Sequence, residues 1–255
     1  MSPRVNAPLG SPCWVDLMSS DTDRARAFYG GLLGWGCEDP NPEFGGYANF
    51  TRDGEWVAGL MGKMDESMPD VWSVYLQVAD AEATLAAVEA RGLPVMVPAM
   101  AVGDLGVMGV MADPGGAVIG LWQPGEHTGF GHWMEPGAPG WFELYTRDLD
   151  GSVAFYREVF GWETSVESDT PEFRYVTQVQ GELQYAGIMD ITSAMPAEVP
   201  AHWSVYFDVA DIDASCATAV ELGATVVMPP EETPYGRLAM LTDPMGAAFK
   251  LHQQP

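Results

Sequence analysis

Hydrophobic and polar residues follow two successive periods in the segment that best shows how this chain is organised. Residues 141–145 alternate with the period of two that is typical of a β-strand with two different faces. From residue 153 apolar side chains recur at helical spacing until Gly161, which can end a helix in a left-handed conformation. The pattern predicts a strand followed directly by an amphipathic helix, with Asp148 or Asp150 as its N-cap.

The same pattern occurs near the N-terminus, in residues 14–35. This segment matches residues 141–162 at 9 of 22 positions with a constant offset of 127. Two further segments are repeated, one with 7 matches in 9 positions and one with 5 matches in 9. They are residues 72–80 with 203–211 and residues 113–121 with 243–251. The chain is therefore a tandem duplication.

Short strand-like runs and two more helical segments fill the rest of each half. Residues 80–91 and 212–222 have helical spacing, and Asp53-Gly54 is a dipeptide that favours a tight hairpin. The predicted order is strand, helix and three strands, repeated four times. Such βαβββ units predict an α+β fold, with a curved mixed sheet that has helices on its outer face and a concave cup on the other.

Length and duplication together predict two domains. A chain of 255 residues is long enough for two domains that each have a core. We expect the domains at residues 12–122 and 141–252, joined by a Gly- and Pro-rich linker at residues 123–140.

These motifs resemble those of a known superfamily. Each half opens with a strand that is followed by a Phe-Tyr pair and a Gly-Trp helix end. An Asp-Pro-x-Gly turn precedes the last strand of each half. This combination resembles the vicinal oxygen chelate superfamily. That superfamily includes glyoxalase I, bleomycin-resistance proteins and extradiol dioxygenases. The resemblance covers residues 12–252 and is closer still to two-domain glyoxalase-like proteins that are labelled hydroxylases or antigens. It leaves open whether successive units, or the first and the fourth, share a cup.

The resemblance also implies where a metal ion would be held. Metal-dependent members place His, Gln or Glu on inward positions of the first strand and Glu near the end of the last, a donor set that suits divalent iron, zinc, nickel or manganese. In this chain the corresponding positions hold Trp14, Trp141, Ser73, Ser204, Gly120 and Lys250. An indole, a glycine and a protonated lysine do not ligate a cation. We therefore expect no metal centre of the family type and no cofactor.

The inward positions of the second half carry the more reactive side chains. We expect Lys250 to bind an anionic or carbonyl group, or to act as a base if desolvation lowers its pKa, with Glu143 and His252 as acid–base partners. A structural ion pair of Lys250 with Glu143 or Asp208 is the alternative. The predicted ligand-binding side chains are Trp141, Tyr145, Ser204, Tyr206, Asp208, Trp14, Asp16 and Tyr75. For the tryptophans, packing in the core is the alternative.

Charge and composition exclude several classes of partner. The 11 basic and 36 acidic residues give a formal charge of −25, which repels nucleic acid and anionic lipid. No apolar run is long enough for a signal peptide or a membrane span. Cys13, Cys37 and Cys216 are odd in number and lack CxxC spacing, which indicates buried thiols in a reducing compartment. We expect a cytoplasmic monomer or homodimer.

Three classes of function are compatible with these observations. The leading hypothesis is a metal-free protein that binds a small natural-product or antibiotic-like molecule in an aromatic cup. The alternative is an enzyme, a glyoxalase-like lyase or isomerase or a hydroxylase, that acts on a small carbonyl or aromatic metabolite. A structural or host-interaction protein, the third class, would have cups without accessible volume.

Overall fold

The computed structural model describes residues 7–255, and its first half has the predicted order of strand, helix and three strands, twice. The strands are β1 (Pro12–Ser19), β2 (Gly36–Cys37), β3 (Ala48–Arg52), β4 (Glu55–Gly62), β5 (Val71–Gln77), β6 (Val95–Val102), β7 (Gly106–Ala112) and β8 (Val118–Pro124). The helices are α1 (Thr22–Leu33) and α2 (Ala81–Glu89).

The second half repeats this order. Its strands are β9 (Pro139–Thr146), β10 (Glu163–Asp169), β11 (Arg174–Gln180), β12 (Leu183–Asp190), β13 (His202–Asp208), β14 (Thr225–Thr233), β15 (Gly236–Thr242) and β16 (Ala248–Gln253). Its helices are α3 (Leu149–Phe160) and α4 (Ile212–Glu221). Asp148 is the N-cap of α3 and accepts from the Gly151 N–H at 3.0 Å, and Gly161 ends the helix at a φ of 70°.

The helices of residues 7–255 are too short or too polar to cross a membrane.

Each half of the chain forms one mixed sheet of eight strands. The orders are β2-β3-β4-β1-β5-β8-β7-β6 and β10-β11-β12-β9-β13-β16-β15-β14. The first strand of every repeat pairs in parallel with its last strand, and the remaining pairs of each repeat are antiparallel. Successive repeats of each half therefore share a sheet. The α+β fold predicted from the four repeats is confirmed.

The edge strands β6 and β14 both contain proline. β6 runs through Pro98 to Val102. β14 contains Pro229 and Pro230 in the same way. Both strands lie at the edge of a sheet, where an amide N–H that proline lacks has no neighbouring strand to bond. Proline here also protects the edge from pairing with another chain.

The packing of the chain defines two compact units, each made of one repeat from each half. Of the described residues, the first unit contains 7–13, 74–129 and 142–203, and the second contains 14–73, 130–141 and 204–255. The expected domain limits at residues 12–122 and 141–252 stay a prediction.

A buried hydrogen bond between tyrosine and aspartate lies at the centre of the first unit. The hydroxyl of Tyr156, on α3, donates to Asp113 at 3.1 Å and accepts from the indole of Trp203 at 3.1 Å. Asp113 is 2% exposed and also accepts from the Ala117 N–H at 2.9 Å. Burial raises the pKa of Tyr156 and that of Asp113. The aspartate of the Asp-Pro-x-Gly motif thus joins its turn to the helix of another repeat.

The second unit contains the same arrangement. The Tyr29 hydroxyl, on α1, donates to Asp243 at 3.1 Å and accepts from the Trp72 indole at 2.9 Å. Phe207 and Phe249 pack on the Tyr29 ring with centroid distances of 6.2 and 5.8 Å. The motifs repeated in the sequence therefore account for the core rather than for the site.

The last strand is fastened to β13 by a histidine with two acceptors. His252 Nδ1 lies 2.7 Å from Asp208 Oδ1, and Nε2 lies 2.9 Å from the Tyr235 carbonyl oxygen. Both partners accept, so both nitrogens donate and the ring is an imidazolium. Gln254 donates to Asp208 Oδ2 at 2.9 Å. Burial lowers the pKa of His252, but the hydrogen bonds and the charge of Asp208 together raise it above 6.5.

Replacement of Tyr156 by Phe tests the tyrosine–aspartate bond. We expect the free energy of unfolding in urea to fall by about 1–3 kcal/mol, because a buried carboxylate loses a donor. Tyr29→Phe is the matched variant in the other unit, and the losses in the double variant should add, since the two sites share no partner. Losses below about 0.5 kcal/mol in both single variants would contradict the structural role of the motif.

Replacement of His252 by Gln tests the imidazolium. Because the folded pKa is raised, the stabilisation is complete below the unfolded pKa and is lost as pH rises through the folded pKa. The destabilisation by His252→Gln, measured in urea, should therefore be larger at about pH 5.5 than at about pH 9. In an Asp208→Asn background this dependence should shrink. A loss that is equal at both pH values would contradict the assignment.

Candidate functional site

The parallel strand pairs place one position of each repeat in an equivalent setting. In each repeat, one residue of the first strand lies opposite one residue of the last strand. The residue of the last strand is a glycine in three repeats and a lysine in the fourth. The pairs are Asp16 with Gly59, Tyr75 with Gly120, Glu143 with Gly187, and Tyr206 with Lys250.

Tyrosine side chains cover the three glycines. A Cβ at Gly120 would collide with the ring of Tyr75. At Gly59 it would collide with the hydroxyl of Tyr47, and at Gly187 with the hydroxyl of Tyr175. Tyrosine therefore fills the space that a longer side chain on the last strand would need.

In the first half, two of the predicted ligand-binding residues, Trp14 and Asp16, lie next to Tyr47. Its hydroxyl accepts from the Trp14 indole N–H at 2.9 Å. Burial raises the pKa of Tyr47 and the charge of Asp16 raises it further, although the bond from Trp14 opposes this. Trp14 and Asp16 are both 4% exposed. These two predicted residues thus surround a neutral phenol.

The donor set does not fit a metal centre of the family type. Trp14 presents an N–H that is donated to Tyr47, Gly120 has no side chain, and Lys250 presents an amine. Among residues 7–255, no three side chains of His, Cys, Asp or Glu come together in a way that could hold a metal ion. We derive no chemistry through a metal for these residues.

Lys250 lies within the second unit, against an aromatic partner. Its amine is 2.7 Å from the Tyr206 hydroxyl and 4.6 Å from the centre of the same ring, and the residue is 7% exposed. The Asp208 oxygens accept from His252 and Gln254. His252 has both nitrogens engaged, so it would have to break a hydrogen bond before it could act as a base.

Glu143 and Tyr145 lie in the first unit. The Tyr145 hydroxyl donates to the Glu143 carboxylate, and the two residues are 3% and 6% exposed respectively. The imidazole of His202 stacks on the Tyr145 ring, with 5.0 Å between centroids and 17° between planes. The result is a flat aromatic pair next to a buried carboxylate.

His202 is a candidate residue that is absent from the set predicted from the sequence. It is the first residue of β13 and has the same parity as Ser204, Tyr206 and Asp208, which are predicted ligand-binding residues. The strand period, extended by one step toward its beginning, would have found it.

The other predicted side chains differ in exposure. Trp141 and Ser204 are partly exposed, whereas Tyr75 is buried. The roles assigned to all of these residues stay predictions. Cys13 and Cys216 are buried as expected, Cys37 only in part, and burial raises the pKa of each thiol, which makes it a poor nucleophile.

Two named proteins are similar to this chain over nearly its full length. One, from Mycobacterium tuberculosis, is named "Putative glyoxylase CFP32" and is 40% identical over 248 residues, which cover 95% of this chain and 94% of that protein. The other, from Streptomyces, is named "Anthracycline biosynthesis protein DauV" and is 35% identical over 260 residues, covering 95% and 92%.

Solved structures of low sequence identity share the fold. The 2,3-dioxygenase LapB from Pseudomonas has a TM-score of 0.67 at 16% identity, covering 98% of this chain and 95% of that one. The Mn(II)-bound glyoxalase from Novosphingobium aromaticivorans has a TM-score of 0.65 at 17% identity, covering 96% and 82%.

The family match covers both halves of the duplication. The profile described as Glyoxalase/Bleomycin resistance protein/Dioxygenase superfamily matches residues 13–121 and again residues 138–251. Together with the repeated βαβββ order, this establishes that the chain belongs to the glyoxalase/bleomycin resistance protein/dioxygenase superfamily.

Proposed function

We propose that this protein binds a small organic molecule of the natural-product type, without a metal ion, on the inward side chains of its sheets. The observation that carries the proposal is the content of the four equivalent positions, which hold Gly59, Gly120, Gly187 and Lys250. Three of them lie under tyrosines and the fourth bonds to one. Such positions offer aromatic surface and hydrogen-bonding groups in place of metal ligands.

A planar aromatic ligand fits this set of side chains best. The stacked pair of Tyr145 and His202 offers a flat surface in the first unit. The relative named for anthracycline biosynthesis supports a polycyclic ligand, because it is 35% identical over 260 residues. The formal charge of −25 would also attract a ligand that carries an amine.

The cellular setting belongs to the same proposal. The three cysteines are free thiols, which supports a reducing, cytoplasmic location. A monomer or homodimer with a small molecule as its partner, and without nucleic acid, agrees with the acidic composition.

A fluorescence titration tests the binding proposal. Planar hydroxylated anthraquinones, added to the purified protein, should change the tryptophan emission and saturate. Tyr145→Leu should weaken the affinity by roughly tenfold, since it removes the ring on which the His202 imidazole is stacked. Tyr235→Leu is the matched control, because that tyrosine is 50% exposed. An emission that does not change with any planar or cationic metabolite in a broad library would contradict the proposal.

A second candidate function is an enzyme that acts without the family metal. It is favoured by the bond of 2.7 Å between the Lys250 amine and the Tyr206 hydroxyl, since a buried amine and phenol can hold and move a proton. A lyase or isomerase acting on a small carbonyl compound, or a hydroxylase acting on an aromatic one, would suit this pair.

Lys250→Met tests the enzyme. If the unaltered protein converts a 2-oxoaldehyde–thiol adduct, the variant should lose the turnover while its circular dichroism stays the same. Turnover by both proteins would remove Lys250 from the mechanism. No turnover by the unaltered protein, with or without added divalent metal ions, would leave binding as the better account.

A further inference from the structure

One guanidinium holds the loop between β12 and β13. Arg147, the residue after β9, donates to the carbonyl oxygens of Ile191, Met195, Pro196 and Val199 at 3.4, 3.3, 2.5 and 3.4 Å. The planar fork of arginine can serve several acceptors at once and stays charged at every physiological pH. Arg147 therefore binds this loop at four of its carbonyl groups, in addition to the loop's own backbone hydrogen bonds.

The loop ends at the residue that orients the imidazole of His202. The Pro200 carbonyl oxygen lies 2.9 Å from His202 Nδ1. A carbonyl only accepts, so Nδ1 carries the hydrogen, and in the neutral ring the lone pair belongs to Nε2. Within residues 7–255, Nε2 makes no hydrogen bond, and the side chain is partly exposed. The imidazole thus offers a hydrogen-bond acceptor whose direction is fixed.

The face of the same ring is also fixed. Tyr145 stacks on it at 5.0 Å, and the Tyr145 hydroxyl is engaged with the buried Glu143 carboxylate. The accepting atom that this group presents is therefore His202 Nε2, beside a stacking surface. At the repeat-related position the first half has Val71, so this feature belongs to the second half alone.

We propose that His202 determines specificity by accepting a hydrogen bond from a phenolic hydroxyl of a planar aromatic ligand. The inference rests on the proposed binding function and names the group that is selected. A ligand with a free hydroxyl pairs with Nε2, whereas its methyl ether cannot donate and covers this partly exposed acceptor without giving it a partner. Arg147 acts as a positioning residue, since it sets the loop that carries Pro200.

The test compares 2-hydroxyanthraquinone with 2-methoxyanthraquinone in tryptophan-fluorescence titrations. The unaltered protein should bind the hydroxyl probe at least about tenfold more tightly than the ether. His202→Phe keeps a ring for stacking but removes the acceptor, so it should abolish this preference by weakening the hydroxyl probe alone. His202→Gln, which retains an acceptor oxygen, should recover part of it. His132→Phe, in the segment before β9, is the matched control and should retain the full preference.

The outcomes distinguish a failure of the role of His202 from a failure of the ligand-binding proposal. Equal affinity of the unaltered protein for the two probes, or a preference that survives in His202→Phe, would overturn the role of His202 and leave ligand binding intact. If neither probe binds the unaltered protein, the aromatic-ligand proposal is wrong and the inference falls with it.

Discussion

In three repeats a tyrosine side chain lies so close to the last strand that this strand can have no side chain at the point of contact. The residues there are Gly59, Gly120 and Gly187, and a Cβ at any of them would collide with a tyrosine. A carboxylate that could hold a metal ion is excluded from the same space. In the fourth repeat Lys250 has a side chain, and its amine donates to the Tyr206 hydroxyl. The chemistry open to the protein follows from these four occupants.

The framework and the site use different residues. The motifs that reveal the duplication, the Phe-Tyr pair and the Asp-Pro-x-Gly turn, supply the buried bonds of Tyr156 to Asp113 and of Tyr29 to Asp243. The inward positions differ between the halves, and His202 has no counterpart in the first. A scaffold held by its own polar bonds can tolerate such changes, because function lies in the site and not in the fold.

The sequence predicted the fold because the information is local. Helix caps, strand periods and turn residues lie within a few positions of each other, so Asp148 and Gly161 could be identified from spacing alone. The limits of β6 are harder to predict, since the pattern cannot show that Pro98 lies at a sheet edge, where proline is tolerated. The covering of Gly187 by Tyr175, the two acceptors of His252 and the stacking of His202 are contacts between separate strands. These contacts cannot be predicted from the spacing of residues along the chain.

We infer that the inward positions, with tyrosine-covered glycines and a lysine, hold no metal ion. The most direct test is the metal content of the protein, measured by mass spectrometry as purified and again after incubation with manganese, iron, nickel or zinc and gel filtration. We predict well below one ion per chain in every case. An ion retained at one per chain, and lost when the inward residues are substituted, would contradict the claim and favour the lyase or dioxygenase chemistry of the metal-dependent relatives.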